Sequence, residues 1–383
     1  MHWINLTGNI LVVLGAGSLF LVLVRWQPEA ADNPLLRQIS NRAVYLWAYT
    51  SFFVGLMALI GAYDSYQRLR GKPKNRKRRQ AGWLRLIILL FPLLLWAAEA
   101  WKYSIILPDW IFSIIIFLGV LIPAIWLLRV ASGELWGQHK GRDASVISFS
   151  STVTLPIIIL VESFLVLIII LALGIFGTSA LTQIPETMGE IERMLDSPLV
   201  LLVIAFFIAG IAPVVEELLK TLSTWFLVGL NISDGEGYMN GLMGGSTFAI
   251  MEGMLYASQT AMTPGNDWLG FLIGRLGGTL IHIFNGGLIG WAIAKTWRDR
   301  NVSRLASVYL LAFFIHAIWN LAAYLTQILP TLRGLEMNQV FSIMIMAVIA
   351  LLISIGFITF ARFILRNEKI RHTALTGETH VNS

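Results

Sequence analysis

Long apolar runs constrain this chain more than any other feature of its sequence. Stretches of about 20 predominantly apolar residues recur along its length, and each can cross a hydrocarbon core of ~30 Å as a helix. The 383 residues are 56% apolar and 13% charged, whereas soluble domains carry roughly 25% charged residues. These features predict an integral membrane protein whose fold is all-α, a polytopic bundle of transmembrane helices.

Apolar length and flanking charge predict about ten spans. Their approximate ranges are 4–24, 43–63, 84–101, 110–128, 153–177, 198–229, 239–262, 268–294, 305–329 and 339–365. The first run lacks a basic region before it and is too long for a signal peptide, so we expect it to be retained. Twenty of the 28 Lys and Arg residues lie in alternate loops on one side, against six on the other. This bias predicts that both termini are cytoplasmic and that the acidic loop 185–198 lies outside.

Polar groups divide the chain near residue 150. We predict a four-span region of unknown role at 1–150, a six-span catalytic core at 151–365 and a disordered cytoplasmic tail at 366–383. The basic loop 68–85 joins two spans directly, so we interpret it as a topogenic loop that contacts anionic lipid headgroups rather than nucleic acid. The chain has no cysteine, which excludes disulfides, thiolate metal sites and a cysteine nucleophile.

Ionisable residues inside the later spans are the strongest functional signal. Such a group costs roughly 2.5–3.5 kcal/mol at mid-bilayer on insertion scales, so it usually has a partner or a task. The groups are Glu216, Glu217 and Lys220 in span six, Glu252 in span seven, Arg275, His282 and Asn285 in span eight, and His316 and Asn320 in span nine.

Helical spacing predicts how the polar groups of spans six and nine are arranged. Glu216 and Lys220 are four residues apart with the acid first, the favoured order for an ion pair that would keep one carboxylate charged. Glu217 then points about 100° away around the same helix. His316 and Asn320 are also four residues apart and share a face.

The depths of the groups within their spans agree. Glu252, His282 and His316 lie about 11 to 15 residues into their helices, roughly 16 to 22 Å at 1.5 Å per residue. Pro213 frees a backbone carbonyl just before the paired glutamates and is expected to kink that helix. All these groups can therefore meet at one level of a bundle. Small residues spaced by four allow close approach of the spans: Gly241/Gly245, Gly274/Gly278 and Gly286/Gly290.

Several readings of the cluster stay open at this point. A lone histidine in a membrane helix is often only a hydrogen-bonded strut, and Arg275 can simply pair with a carboxylate; Glu162 and Glu99 are assigned no chemistry. As a set, the groups could bind a metal and activate water. Alternatively, a glutamate acts as general base without a metal, while His and Asn hold an oxyanion. A proton- or ion-coupled transporter uses similar parts, and a structural scaffold would tolerate Glu216→Gln.

Four motifs in order resemble a known family. The stretches EELLK (216–220) and FAIME (248–252), His282 and the stretch HAIWN (316–320) resemble the EExxK, FAxxE, H and HxxxD/N pattern of PrsW-type intramembrane proteases. That family is similar in design to the CAAX prenyl proteases and is described as integral-membrane metalloproteases. The resemblance covers about 198–325, and the loop 231–241 looks like the Asp/Gly segment that precedes FAxxE.

The resemblance implies an endopeptidase that cleaves a membrane-protein substrate in or near its membrane segment. It implies a bacterial plasma membrane and a regulatory substrate, since the founding member is understood to cleave an anti-sigma factor. The implied catalytic residues are Glu216, Glu217, Glu252, His282, His316 and Asn320, supported by Lys220 and Asn285.

The resemblance also suggests a metal and marks two departures. Zinc would suit Glu252, His282 and His316 with an open fourth position for water. Position 253 is Gly where Asn is expected. Asn320 stands where members often have Asp, and an amide can only position groups or hold an oxyanion. A prenyl-protein endopeptidase fits less well, because that family has His where Glu252 stands.

Overall fold

The computed structural model describes the chain over 2–25, 34–71, 82–103, 107–136, 140–175, 197–229, 232–262, 267–332 and 339–376. These residues contain no strand, which confirms the predicted all-α class. The α-helices are α1 (His2–Arg25), α2 (Pro34–Leu69), α3 (Phe91–Trp101), α4 (Asp109–Ser132), α5 (Lys140–Phe149), α6 (Leu155–Ile175), α7 (Pro198–Phe206), α8 (Ala212–Leu219), α9 (Leu222–Val228), α10 (Asp234–Ala261), α11 (Trp268–Asp299), α12 (Val302–Ala323), α13 (Leu329–Leu332) and α14 (Gln339–Thr376). Short 3₁₀ turns occupy Gly82–Arg85, Ile87–Leu90 and Gly133–Leu135, and π-helical segments occupy Ser150–Thr154, Phe207–Ile211 and Tyr324–Ile328.

Eight of the described helical stretches are long and apolar enough to cross a membrane. They coincide with predicted spans one, two, four, five, six, eight, nine and ten. The third predicted span corresponds to a shorter apolar helix at Ile87–Trp101, and the seventh to α10, which is not among the eight. The polytopic helix bundle is therefore confirmed, while the count of ten spans stays a prediction.

Parts of the predicted loops and tail lie outside the described residues. These are 72–81 of the basic loop, 185–196 of the acidic loop and the last residues, 377–383. The tail differs from expectation where it is described, because α14 continues to Thr376. Residues 366–376 are therefore helical rather than disordered.

A single core crosses the boundary predicted near residue 150. Leu128 of α4 belongs to the same buried cluster as Leu242 of α10, Ile281 of α11 and Phe357 of α14. The boundary thus marks where polar groups begin along the chain, and it is not a break in packing.

Glycines bring α10 and α11 into backbone contact. A Cβ added to Gly241 would lie 2.0 Å from the carbonyl oxygen of Gly286, and one added to Gly245 would lie 2.1 Å from that of His282. No other residue permits so close an approach. Two of the predicted glycine pairs therefore form this interface, whereas a Cβ on Gly274 would meet nothing within 4 Å.

The start of α10 is fixed by three side chains. Ser233 and Glu236 form a capping box, in which each side chain bonds the other residue's backbone N–H. Glu368 of α14 accepts a further hydrogen bond from the backbone N–H of Gly235 at 2.9 Å. These bonds set the position of the helix that carries Glu252.

Candidate active site

The paired glutamates lie on a broken helix. The α-helix α7 passes into the π-helical segment Phe207–Ile211 and then into α8, where Pro213 occupies the first turn. A proline and a π-segment are the usual causes of a sharp bend, so the predicted kink is matched by an irregular segment. The helix ends at the turn formed by Lys220 and Thr221.

Lys220 pairs with Glu217 and not with Glu216, contrary to the spacing argument. The Lys220 ammonium donates to Oε1 of Glu217, and both side chains are 0% exposed. Two further donors reach the same oxygen, Nδ1 of His316 at 2.8 Å and Nδ2 of Asn285 at 3.0 Å.

Glu252 of α10 is held in a second ion pair, with Arg275 of α11. Its Oε2 accepts from Nη2 of Arg275 at 2.8 Å and from Nε2 of His282 at 2.8 Å. Arg275 also donates to the carbonyl oxygen of Ala249 at 3.2 Å. The arginine therefore pairs with a carboxylate inside the bundle, the role that the sequence allowed for it.

These bonds fix the tautomers of both histidines. A carboxylate only accepts, so the bond to Glu252 requires a proton on Nε2 of His282 and leaves Nδ1 as a lone pair in the neutral ring. The bond to Glu217 likewise puts the proton of His316 on Nδ1 and frees Nε2. The two ring centroids are 5.0 Å apart, with the planes nearly perpendicular at 88°.

The free nitrogen atoms face the carboxylate of Glu216. Its Oε2 lies 4.0 Å from Nδ1 of His282 and 3.7 Å from Nε2 of His316. One ligand atom from each of the three residues falls within 4.8 Å of the others, and all three residues are buried. Within the described part of the chain, neither Oε2 of Glu216 nor Nδ1 of His282 has a hydrogen-bond partner.

This donor set fits a divalent metal. Two imidazoles and a carboxylate with an open fourth position are a known catalytic zinc set. A metal-ligating histidine almost always donates its other N–H to a carboxylate or carbonyl, as His282 does to Glu252 and His316 does to Glu217. The predicted ligand set included Glu252; in this geometry Glu252 bonds the far side of His282, and Glu216 is the carboxylate grouped with the two histidines.

Charge balance agrees with that fit. Glu217 is paired with Lys220 and Glu252 with Arg275, whereas no Lys or Arg among the described residues forms an ion pair with Glu216. A buried carboxylate without a partner is costly. A cation at the convergence point would compensate Glu216.

The other polar residues are arranged differently from expectation. Asn320 donates from Nδ2 to the carbonyl oxygen of Ile208 at 2.9 Å, and its described hydrogen bonds do not reach the glutamates or histidines. Glu162, which was assigned no role from the sequence, lies within the long apolar helix α6. Its Oε1 is buried and has no partner in the described structure.

Fold and site together define a helical membrane protein with a buried Glu/His/His group that can hold a metal ion. The sequence model of the PrsW family intramembrane metalloproteases matches residues 162–353, half of the chain. The chain belongs to the PrsW family. Neither curated proteins nor solved structures gave a match to it. The matched region contains all four motifs and begins at Glu162, so it is wider than the resemblance read from the motifs alone.

Proposed function

We propose that this protein is an intramembrane endopeptidase that uses zinc held by Glu216, His282 and His316. The substrate is a membrane protein cleaved in or near its membrane segment, where the helix unwinds locally to present a peptide bond. The observation that carries this proposal is the convergence of three ligand atoms within 4.8 Å, with each imidazole backed by its own carboxylate.

Each buried residue then has a defined task. Glu252 and Glu217 hold the two imidazoles in the tautomers that point lone pairs at the centre. Arg275 and Lys220 compensate the charges of those two carboxylates inside the bundle. Zinc, when bound, would act as a Lewis acid toward a peptide carbonyl and would activate water.

The same geometry separates the roles of the adjacent glutamates. Glu217 receives three donors on one oxygen, which makes it a structural anchor. Glu216 keeps an unpartnered oxygen facing both imidazoles, so it is the carboxylate that is free to bind the metal. In the metal-free alternative, Glu216 would be the general base that accepts the proton of the attacking water.

We further propose a regulatory role in a bacterial plasma membrane, with an anti-sigma factor as the type of substrate. A regulatory membrane protein offers a single segment whose cleavage releases a soluble part. The family match does not favour the transporter alternative, and all the ion-paired groups of the site lie inside the matched region.

The test is a metal measurement combined with cleavage. The full chain is purified in mild detergent without chelator, and bound metals are quantified by elemental mass spectrometry. We expect about one zinc per chain, lost in Glu216→Gln, His282→Ala and His316→Ala, together with cleavage of a membrane-protein reporter. Glu99→Gln is the matched control, because Glu99 pairs with Lys102 outside the cluster.

The outcomes separate the mechanisms. A folded, metal-free protein that cleaves the reporter and loses this activity in Glu216→Gln would support the glutamate mechanism and refute the zinc site. A folded protein with neither metal nor cleavage, across reporters of varied sequence, would refute the protease proposal as a whole.

A further inference from the structure

The break in the helix before Glu216 leaves the backbone carbonyl of Ile208 without a helical donor in the π register. In the π-helical segment Phe207–Ile211, the N–H of Ala212 bonds the carbonyl of Phe207, five residues earlier. In the same register the carbonyl of Ile208 would need the N–H of residue 213, which is a proline and has none. An unpaired carbonyl inside a membrane costs several kcal/mol.

Asn320 supplies the missing donor from the neighbouring helix. Its side-chain amide lies 2.9 Å from the carbonyl oxygen of Ile208. An amide suits this position, because it offers N–H donors without a charge, whereas an ionised aspartate only accepts. Asn320 is one turn beyond His316 on α12, so the two side chains share a face of that helix. This face therefore carries both a site histidine and the donor that bonds the broken helix.

Two tyrosines extend this contact along the same face. Tyr324 donates its hydroxyl to the carbonyl oxygen of Leu201 at 2.8 Å, and Tyr309 donates to that of Val214 at 2.7 Å. The three donors are eleven and four residues apart, which is three turns and one turn of helix. They contact the broken helix on both sides of its π-segment.

We propose that Asn320 is a positioning residue that fixes the broken helix by bonding the carbonyl released by Pro213. It holds Glu216 at the right distance from His316 without contacting the reacting atoms itself. This inference rests on the proposed function, because the distance between Glu216 and His316 matters only if both residues hold the metal. The bond itself can be tested without any assay of cleavage.

The experiment is a rescue measured by hydrogen exchange. In the full chain in detergent, Asn320→Ala should speed amide exchange in peptides spanning 203–219 about tenfold, as expected for one lost buried hydrogen bond. It should also weaken zinc binding. Adding Pro213→Ala should restore slow exchange, because residue 213 then provides an N–H for the carbonyl of Ile208.

The matched control is Tyr309→Phe. It removes a bond to the carbonyl of Val214, which lies in the regular helix α8, so Pro213→Ala should not restore what this variant loses. If Asn320→Ala does not fold, Asn320→Asp keeps the volume and removes the donor. It should show the same exchange and the same rescue.

Two results would overturn the proposal. Unchanged exchange with lost cleavage would make Asn320 a catalytic residue that acts on the reacting atoms. Faster exchange that Pro213→Ala does not restore would show that the Ile208 carbonyl is not the group concerned. Failure of the protease proposal is distinguishable, since it would remove cleavage and leave the exchange rescue intact.

Discussion

The two helix pairs that build the site are held together in opposite ways. α10 and α11 touch backbone to backbone through glycines such as Gly241 and Gly286, and they carry Glu252 and His282. The broken helix and α12 are joined by side chains that reach backbone carbonyls, and they carry Glu216, Glu217 and His316.

The difference concerns how each half can respond to a substrate. Two helices in backbone contact cannot shift gradually against each other, since interfaces packed this closely do not deform continuously. A helix interrupted by a π-segment and a proline can change its bend while single bonds re-form. The proposed metal site therefore joins a rigid half to an adjustable one, and the following variants test this division.

Lys220→Met should give the largest loss of stability, in the adjustable half. It leaves Glu217 buried with its charge uncompensated by a cation, a change that costs about 3–5 kcal/mol. Thermal unfolding in detergent measures the loss. Adding Glu217→Gln should recover part of it, because the unpaired charge is removed; a double variant less stable than Lys220→Met would disprove the ion pair.

Gly241→Ala should destabilise the rigid half by about 3 kcal/mol or more, since the new methyl group would overlap a backbone carbonyl. The added Cβ would be 2.0 Å from the oxygen of Gly286. Gly274→Ala is the matched control, because nothing lies within 4 Å of its added Cβ. The midpoint temperature of thermal unfolding should be unchanged or raised in this variant. Equal effects of the two substitutions would contradict the close contact.

Glu252→Gln should weaken zinc binding about 10- to 100-fold without abolishing it, the usual effect of losing a residue that orients a ligand. Glu216→Gln should abolish it, because it removes a ligand. Competition with a zinc-binding dye measures both affinities. If the two substitutions exchange these effects, Glu252 is the ligand and the sequence-based set is right.

Tyr309→Phe should have the smallest effect, about 1 kcal/mol, from one hydrogen bond lost at a partly exposed position of the adjustable half. The same unfolding measurement applies. Tyr66→Phe, at an exposed position of α2 away from both halves, serves as a control for the loss of a tyrosine hydroxyl. A loss of several kcal/mol for Tyr309→Phe would mean that the broken helix is not adjustable.

Much of this arrangement follows from the sequence because helix periodicity is regular. Apolar length predicts the bundle, and equal depth predicts that Glu252, His282 and His316 meet. The glycine spacing predicts the contact between α10 and α11 at Gly241 and Gly286. These inferences need only the pitch of a helix and the thickness of a membrane.

The details that escape the sequence depend on competition among neighbours. Spacing favours Glu216 for Lys220, but the helix ends at the lysine, and Glu217 is the carboxylate that also meets Asn285 and His316. No sequence pattern tells which glutamate faces the free side of an imidazole. In the structure, Glu252 bonds Nε2 of His282, so Nδ1 is the free nitrogen and Glu216 faces it. If Glu216 bonded the ring instead, Glu252 would be the carboxylate beside the free nitrogen.

The partner of Asn320 is a similar case. Pro213 indicates that a carbonyl is released, and Asn320 lies one turn beyond His316. Their connection requires knowing that α12 packs against the break, which is a tertiary fact.

The glycine-lined pair also has a consequence for how this protein enters its membrane. α10 is not among the eight helices apolar enough to cross alone, yet the next helix in the chain follows after only a few residues and matches it backbone to backbone. We expect the two to leave the translocation machinery together as a hairpin, with α11 covering the glycine-lined face of α10. The half of the site that is most rigid in the finished protein would then also be the half that forms first during synthesis.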